Sequence, residues 1–535
     1  MKITLAQLNL KVGDIENNIK KAKDAYIKAE RENSDIIIYP ELLTTGYQPL
    51  DMIANTDFIK ENIKAVKDFS MITKKTAAVI GYVDFNKGYG KKFLNSAAFI
   101  QSGKIIYSFS KNLLPTYDIF DEKRYFNEGN NYRIIKFKGK KILITICEDI
   151  WSQTELLPDK NLYSKNIIKD FNPELIINLS ASPYYYGKAA LRKKILSRLA
   201  REKKADIVYV NTVGANDELV FDGSSMLIKK NGDVYTAAAF EEEVITIDDS
   251  VNKNIIDEDL SFIENAIITG IRDYFIKQNF KTALIGVSGG IDSAIVLYLT
   301  SKAIGNKNVR GILMPSKFTS KQSIDDALKL LKNLDVGYDT ISIDSLYKQY
   351  IKTLKLDESN IDITLQNIQS RIRGNILMSY SNRYNSLVMT TGNKSEIGVG
   401  YSTLYGDSCG AIAPIGDLTK TDVYKLVNYI NRNSEIIPYS IIQRPPTAEL
   451  KYNQRDDDDL PQYSVLDKII KLYIEEGKTP EMIKKITGMG SVVEDIIKRI
   501  ERNEYKRRQM PLILKLSKKA FGSGRRMPIV KKIYI

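Results

Sequence analysis

Cys147 and Asp292 each sit in a short string whose residue types and spacing suit one kind of chemistry. Ile146, Cys147, Glu148 and Asp149 close a continuous apolar run over 141–146, which reads as a buried strand. A thiol at the end of such a strand is placed to attack an amide carbonyl, although a cysteine there on its own reads as a small core residue. The second string is Ser288, Gly289, Gly290, Ile291, Asp292 and Ser293, which follows an apolar run over 283–287 and opens a helical pattern. Glycines in that place let backbone N–H groups approach phosphate oxygens, and a helix N-terminus adds partial positive charge. Ser288 and Ser293 add hydroxyl donors, while Asp292 suits a magnesium ion held against a phosphate. The spacing differs from Gly-x-x-x-x-Gly-Lys-Ser/Thr, so this is not a loop for transferring the terminal phosphate.

The chain has no histidine. Ser-His-Asp and Cys-His catalysis and His-ligated zinc are therefore excluded, and base chemistry near neutrality falls to carboxylates, lysines or tyrosines. A thiol of ordinary pKa, about 8.5, is only a few per cent thiolate at neutral pH and needs such a base. Glu41 lies just past an apolar run over 35–39, and Lys111 just past one over 104–110. The carboxylate can take the thiol proton, and the ammonium can stabilise both thiolate and tetrahedral oxyanion. The expectation is that ends of adjacent parallel strands bring Glu41, Lys111 and Cys147 to one rim.

The elements that must position these residues differ between the two halves. Strands read at 3–10, 35–39, 77–83, 96–101, 104–110, 141–146, 175–179, 206–211 and 225–229, with a helix at 14–31 and a hairpin over 227–235 turned at Asn231, Gly232 and Asp233. An acidic stretch over 241–257 with no sustained period marks the junction, giving a first domain 1–245, a linker 246–257 and a second domain 258–535. The second half opens with a helix over 258–278. Strands at 283–287, 310–314, 340–343 and 387–390 then alternate with helices, and the chain is mainly helical beyond 422. That order predicts a doubly wound parallel sheet.

A length of 535 residues exceeds what one core supports, in keeping with several domains. Two cysteines, Cys147 and Cys409, cannot build a disulfide framework and fit a reducing, cytoplasmic setting. No secretory leader or membrane span is expected, for want of a long uninterrupted apolar run. The net charge of +14 leaves nucleic-acid binding and a simple lysine-rich composition both open. Lys506, Arg507, Arg508, Lys515, Lys518, Lys519, Arg525 and Arg526 cluster near the end, a tail suited to phosphate-bearing small molecules.

The strings 39–47, 111–126 and 147–151, the last closed by Trp151, resemble the Glu–Lys–Cys triad of the nitrilase superfamily over about residues 1–250. The resemblance implies an α-β-β-α sandwich with Glu41 as base, Lys111 as oxyanion partner, Cys147 as nucleophile and Glu122 as an auxiliary carboxylate. It further implies that Tyr117, Ser182 and Lys188 hold glutamine. The string 211–223 is similar to that of glutamine-using members, with Ala215 and Asn216 where Gly and Gln are commoner.

The glycine-rich string resembles the PP-loop of N-type ATP pyrophosphatases, which cleave ATP between its α and β phosphates. Strings at 367–373, 390–396, 403–407, 417–421, 445–450, 505–509 and 520–526 resemble the NAD synthetase family. The resemblance implies that Gly286, Val287, Ser288, Gly289, Gly290, Ile291, Asp292, Ser293, Thr391, Lys420 and Thr447 contact ATP. It places Mg²⁺ on Asp292 and Glu396, and deamido-NAD⁺ on Asn367, Arg371, Glu396 and Lys506. Cys409 reads as structural. With both halves on one chain, the whole resembles the glutamine-dependent NAD⁺ synthetases. That implies ammonia freed from glutamine and consumed on an adenylated acid, a sheltered passage for it, and a homo-oligomer with an octamer among the forms. No nucleic-acid or membrane partner is expected. Competing readings are a PP-loop amidotransferase for another acid and a basic RNA-binding protein with decayed catalytic domains.

Overall fold

Residues 1–151, 163, 166–248, 258–359 and 361–534 are described by the computed structural model, which divides the chain into two compact units, Met1–Phe262 and Ile263–Ile535.

The first unit is built on two six-stranded sheets. Its strands are β1 (Ile3–Gln7), β2 (Ile36–Ile38), β3 (Ala77–Phe85), β4 (Phe93–Gln101), β5 (Lys104–Ser110), β6 (Ile135–Phe137), β7 (Lys140–Ile146), β8 (Leu175–Ser180), β9 (Asp206–Asn211), β10 (Val213–Asn216), β11 (Leu219–Asp222), β12 (Met226–Ile228), β13 (Val234–Thr236) and β14 (Glu243–Ile247). One sheet runs β14-β1-β2-β3-β4-β5, the other β13-β12-β9-β8-β7-β6, with β10 and β11 a separate hairpin. Strand period fixes which face each side chain joins. Ile36 and Ile38 of β2, with Ile142, Ile144 and Ile146 of β7, enter one core shared by both sheets. Ile37 points the other way, into a core with Ala22, Tyr26 and Phe69 of helices α1 (Ile15–Arg31) and α2 (Thr56–Met71). Leu143 likewise turns toward Ile195, Leu196 and Leu199 of α4 (Lys188–Lys203), which follows the single turn α3 (Glu122–Tyr125). The layers are therefore α-β-β-α, as the resemblance implied.

The short strands β6, β10 and β11 were not expected from the sequence, and two further strands lie elsewhere than expected. Residues 243–247, expected in or beside the acidic linker, form β14 and pair antiparallel with β1 from Ile3↔Ile247 to Gln7↔Glu243. The run Val244, Ile245, Thr246, Ile247 is β-branched throughout, and the flanking acidic residues masked that signal. In the second unit the strand expected at 340–343 lies at Gly337–Thr340. It is a largely exposed edge strand, so the apolar signal belongs to Ile341 and Ile343 after it, and Ile343 packs with Tyr347, Ile368 and Ile372.

The second unit carries β15 (Ala283–Gly286), β16 (Val309–Leu313), β17 (Gly337–Thr340) and β18 (Leu387–Val388), all parallel, in the order β17-β16-β15-β18. Its helices begin with α5 (Leu260–Gln278), α6 (Ile291–Ile304), α7 (Lys321–Asn333), α8 (Asp344–Leu354), α9 (Ile363–Tyr384), α10 (Lys394–Val399) and α11 (Lys420–Ile430). Strand order reverses beside β15, and in such sheets the crevice beyond the carboxyl ends at that point is the ligand site. Beyond α11 the chain adds helices whose Leu466, Ile470, Ile496 and Ile500 pack on Ile397 and Val399 of α10. Among the described residues no helix is long and apolar enough to cross a membrane.

Candidate functional site

Lys111 is the hinge of the first site. Its ammonium, wholly buried, lies 2.8 Å from Glu41 Oε1 and 2.8 Å from Glu122 Oε1. Asn95 Nδ2 donates to Glu41 Oε1 at 2.7 Å, the Ala181 N–H donates to Glu41 Oε2 at 3.0 Å, and Tyr47 OH donates to Glu122 Oε1 at 3.0 Å. Burial acts against the Lys111 charge, but Glu122 and Glu41 outweigh it and hold the ammonium protonated. Burial pushes the Glu122 carboxyl up to about 7 while Lys111 opposes the rise. Burial, with Glu41 next, also pushes the Cys147 thiol well above its usual range, and Lys111 pulls the other way. The resting nucleophile is a thiol and must lose its proton to react.

The three residues do not come from adjacent parallel strands, as the sequence suggested. Glu41 and Lys111 follow β2 and β5, which share a sheet but are separated by β3 and β4, and Cys147 follows β7 of the other sheet. Packing the two sheets face to face brings them to one rim. A single carboxylate ties those strand ends together. Asp149 Oδ1 accepts from the N–H groups of Asn112 at 3.0 Å and Leu113 at 2.8 Å, just after Lys111. Its Oδ2 accepts from Ile146 N–H at 3.1 Å, just before Cys147, and from Tyr132 OH. Cys147 itself has φ +42°, a left-handed conformation costing on the order of 1–3 kcal/mol in a non-glycine residue.

Of the residues expected to hold glutamine, Tyr117 donates its OH to Glu148 Oε1 at 2.9 Å, beside the nucleophile. Ser182 follows Ala181, whose N–H binds Glu41, and Lys188 starts α4 with its ammonium 4.6 Å from the Trp151 ring. Glu148 was missed by sequence reasoning. It is buried and also accepts from Tyr163 OH at 2.9 Å, and with Glu41 and Glu122 it is a third carboxylate acting on the Cys147 thiol. Its place immediately after the cysteine was the available signal.

At the β15 switch point lies a cavity of about 450 Å³. Its walls include Gly286, Val287, Ser288, Gly290, Ile291, Asp292 and Ser293, together with Asn367, Thr391, Glu396, Lys420, Thr447 and Lys506. Gly289 and Arg371 are not in the lining. Gly289, at φ +79°, turns away. Its carbonyl accepts from Arg444 Nη2 at 3.0 Å, and a Cβ would sit 2.2 Å from Ser323 O, so only glycine fits. Arg371 is exposed and donates to Leu404 O at 3.2 Å; Arg373, two residues on, reaches the cavity, its guanidinium lowered to about 10 by burial.

Lys420 Nζ lies 2.5 Å from Asp292 Oδ2 and 3.3 Å from Glu396 Oε1, and Asn393 Nδ2 donates to Asp292 Oδ1 at 3.1 Å. Burial lifts Glu396 to about 8 against the pull of Lys420. These two carboxylates are hard oxygen donors of the kind Mg²⁺ takes, and Mg²⁺ typically binds through one or two carboxylates plus substrate phosphates. Among the described residues no group of three or more His, Cys, Asp or Glu side chains is placed to hold a metal ion by itself. Asp407 and Asp456 also line the cavity and were missed as site residues. Asp407 closes the string 403–407, and Asp456 is hidden in the acidic run 456–459.

The basic tail departs from expectation. Arg525 bonds Glu504 at 2.7 Å and Glu501 at 2.6 Å, Arg507 bonds Glu504 at 3.0 Å, and Lys515 donates to the carbonyls of Ser517 and Lys518. Among the eight clustered cations, Lys506 is the one in the cavity lining, its ammonium on the carbonyls of Gly400 and Ser402. The acidic partners, 21 and 24 residues away from Arg525, could not be paired with it from sequence.

An α-β-β-α sandwich with a buried thiol, ammonium and carboxylate set, on one chain with a PP-loop crevice, defines an amidase joined to an ATP-using synthetase. A family model described as carbon-nitrogen hydrolase matches residues 2–252, and one described as NAD synthase matches residues 263–510. The glutamine-dependent NAD(+) synthetase of Thermotoga maritima is 40% identical with 99% of each chain covered, and that of Synechocystis is 38% identical with 99% of each covered. The solved glutamine-dependent NAD+ synthetase of Acinetobacter baumannii, in complex with ADP, aligns with a TM-score of 0.78 at 34% identity, covering 99% of this chain and 98% of that one. The chain belongs to the glutamine-dependent NAD⁺ synthetase family.

Proposed function

We propose that the protein amidates deamido-NAD⁺ to NAD⁺ with ammonia released from glutamine, consuming ATP and yielding AMP, pyrophosphate and glutamate. The observation that carries this reading is the Lys111 ammonium held between Glu41 and Glu122 beside the Cys147 strand end, on one chain with the Asp292–Lys420–Glu396 group at the PP-loop.

In the first unit Glu41 takes the Cys147 proton and the thiolate attacks the amide carbon of glutamine. Lys111, fixed in its protonated state, faces the tetrahedral oxyanion. Glu41 returns the proton to the leaving nitrogen and ammonia departs, leaving a thioester. Glu41 then takes a proton from water, hydroxide adds to the thioester, and glutamate leaves as the thiol is restored. Tyr117, Ser182 and Lys188 hold the substrate, with Glu148 facing the same approach.

In the second unit the backbone over 286–288 and 290–293, with Thr391, Lys420 and Thr447, holds ATP. Asn367, Glu396 and Lys506 orient deamido-NAD⁺ so that its nicotinate oxygen attacks the α-phosphorus and pyrophosphate leaves. Ammonia then displaces AMP from the acyl carbon. Asp292 and Glu396 would hold Mg²⁺, which when bound supplies charge neutralisation for the polyphosphate. The reading extends to a cytoplasmic enzyme and a homo-oligomer, with an octamer as the form to test by sedimentation. Mass spectrometry of products from deamido-NAD⁺, ATP and amide-labelled glutamine tests the function. Heavy nitrogen in the nicotinamide group is expected, and its absence from all dinucleotide product refutes it.

A further inference from the structure

Helix α4 begins without help from its own neighbourhood. Its N-cap is Gly187 at φ +91°, which offers no side chain, and its first turn contains no acidic residue. A helix start leaves backbone N–H groups without intrahelical partners and carries partial positive charge. Here the missing group comes from residue 258. Glu258 Oε1 accepts from Gly187 N–H at 2.7 Å and from Tyr184 OH at 2.9 Å, and its Oε2 accepts from Ala190 N–H at 3.5 Å. Nearby, Phe262 stacks with Tyr184 and Phe240 at ring distances of 6.4 and 5.5 Å, and Tyr184 meets Phe240 at 5.4 Å. Two independent contacts, a polar cap and an aromatic cluster, thus press residues 258–262 onto the strip 182–190.

That strip carries Ser182 and Lys188. We propose that Glu258 is a positioning residue of the glutamine site, capping α4 from a distance so that Lys188 and the Ser182–Gly187 turn hold their places. The inference rests on the assignment of Ser182 and Lys188 to glutamine made above. Glu258 lies outside both matched spans, 2–252 and 263–510, and stands two residues before α5. Residues 258–262, which run into α5, therefore pack behind the strip that carries Ser182 and Lys188, and shifting them loosens glutamine binding without touching the triad.

Glu258→Ala and Glu258→Gln in the full chain test this. Loss of a helix cap corresponds to roughly a five- to tenfold effect, so Glu258→Ala should raise KM for glutamine by about that factor, with kcat within about twofold. Glu258→Gln keeps an acceptor and should give a smaller rise. Ammonium-driven amidation and the rate of Cys147 alkylation by iodoacetamide should stay at wild-type values in both. Should Glu258→Ala not fold, a raised KM in Glu258→Gln decides in favour and an unchanged one against. A wild-type KM in Glu258→Ala overturns the proposal, as does a parallel loss of kcat, alkylation and ammonium-driven activity. A wild type that releases no ammonia from glutamine overturns the functional reading as well, so the two failures are separable.

Discussion

Asp149→Asn separates positioning from stability in the first unit. Among the described residues the carboxylate accepts four hydrogen bonds, two beside Lys111 and two beside Cys147. An amide keeps one oxygen, so donors on the other side face an NH₂ group. Tyr132 OH can turn to accept from it, whereas a backbone N–H cannot, and a stranded buried N–H costs about 1–3 kcal/mol. The opposing effect comes from burial, which lifts the Asp149 carboxyl from 3.8 to about 6 despite its donors. Relief of that ionised group at neutral pH is worth about 3 kcal/mol, so the two effects nearly cancel. Unfolding stability should stay within about 2 kcal/mol of wild type, well inside a typical domain's reserve of roughly 5–15 kcal/mol. Catalysis has no such compensation. The two strand ends lose a shared tether, and a misplacement of about 1 Å at reacting groups costs on the order of 100-fold. Glutamine hydrolysis should therefore fall about 100-fold in kcat while ammonium-driven amidation is unchanged. A glutaminase kcat within threefold of wild type would refute the reasoning, whatever the urea midpoint.

Cys147→Ala should abolish glutamine-driven amidation and leave the ammonium-driven reaction intact; retained glutamine use, read by glutamate release, would remove Cys147 from the nucleophile role. Asp292→Ala should abolish amidation from either nitrogen source, and surviving ammonium-driven NAD⁺ formation would sink its assignment. The Glu122 carboxyl, raised from 4.5 to about 7 by burial, makes a stability contribution that is full below about 4.5 and is lost as pH climbs through about 7. Glu122→Gln should flatten the fall in first-unit stability across that window, as urea titrations at a series of pH values can read.

Much of the chemistry was legible because it is local. Cys147 ends an apolar strand, and the glycines of the PP-loop stand between strand and helix. Elements whose signal is diluted were misplaced: β14 by its acidic neighbours, β17 by an edge strand with few buried side chains. The linker's own residues at 249–257 lie outside the described residues.

Residue types alone determined which groups could react, since a chain without histidine must hand its proton transfers to carboxylates and lysines. Tertiary structure decided who stands beside whom. It set Lys111 between Glu41 and Glu122, engaged the tail's arginines with Glu501 and Glu504, and sent Glu258 back to cap α4. Partners 11 to 71 residues apart meet only when sheets and helices pack, because short-range pattern carries period and propensity but not the distance between two side chains.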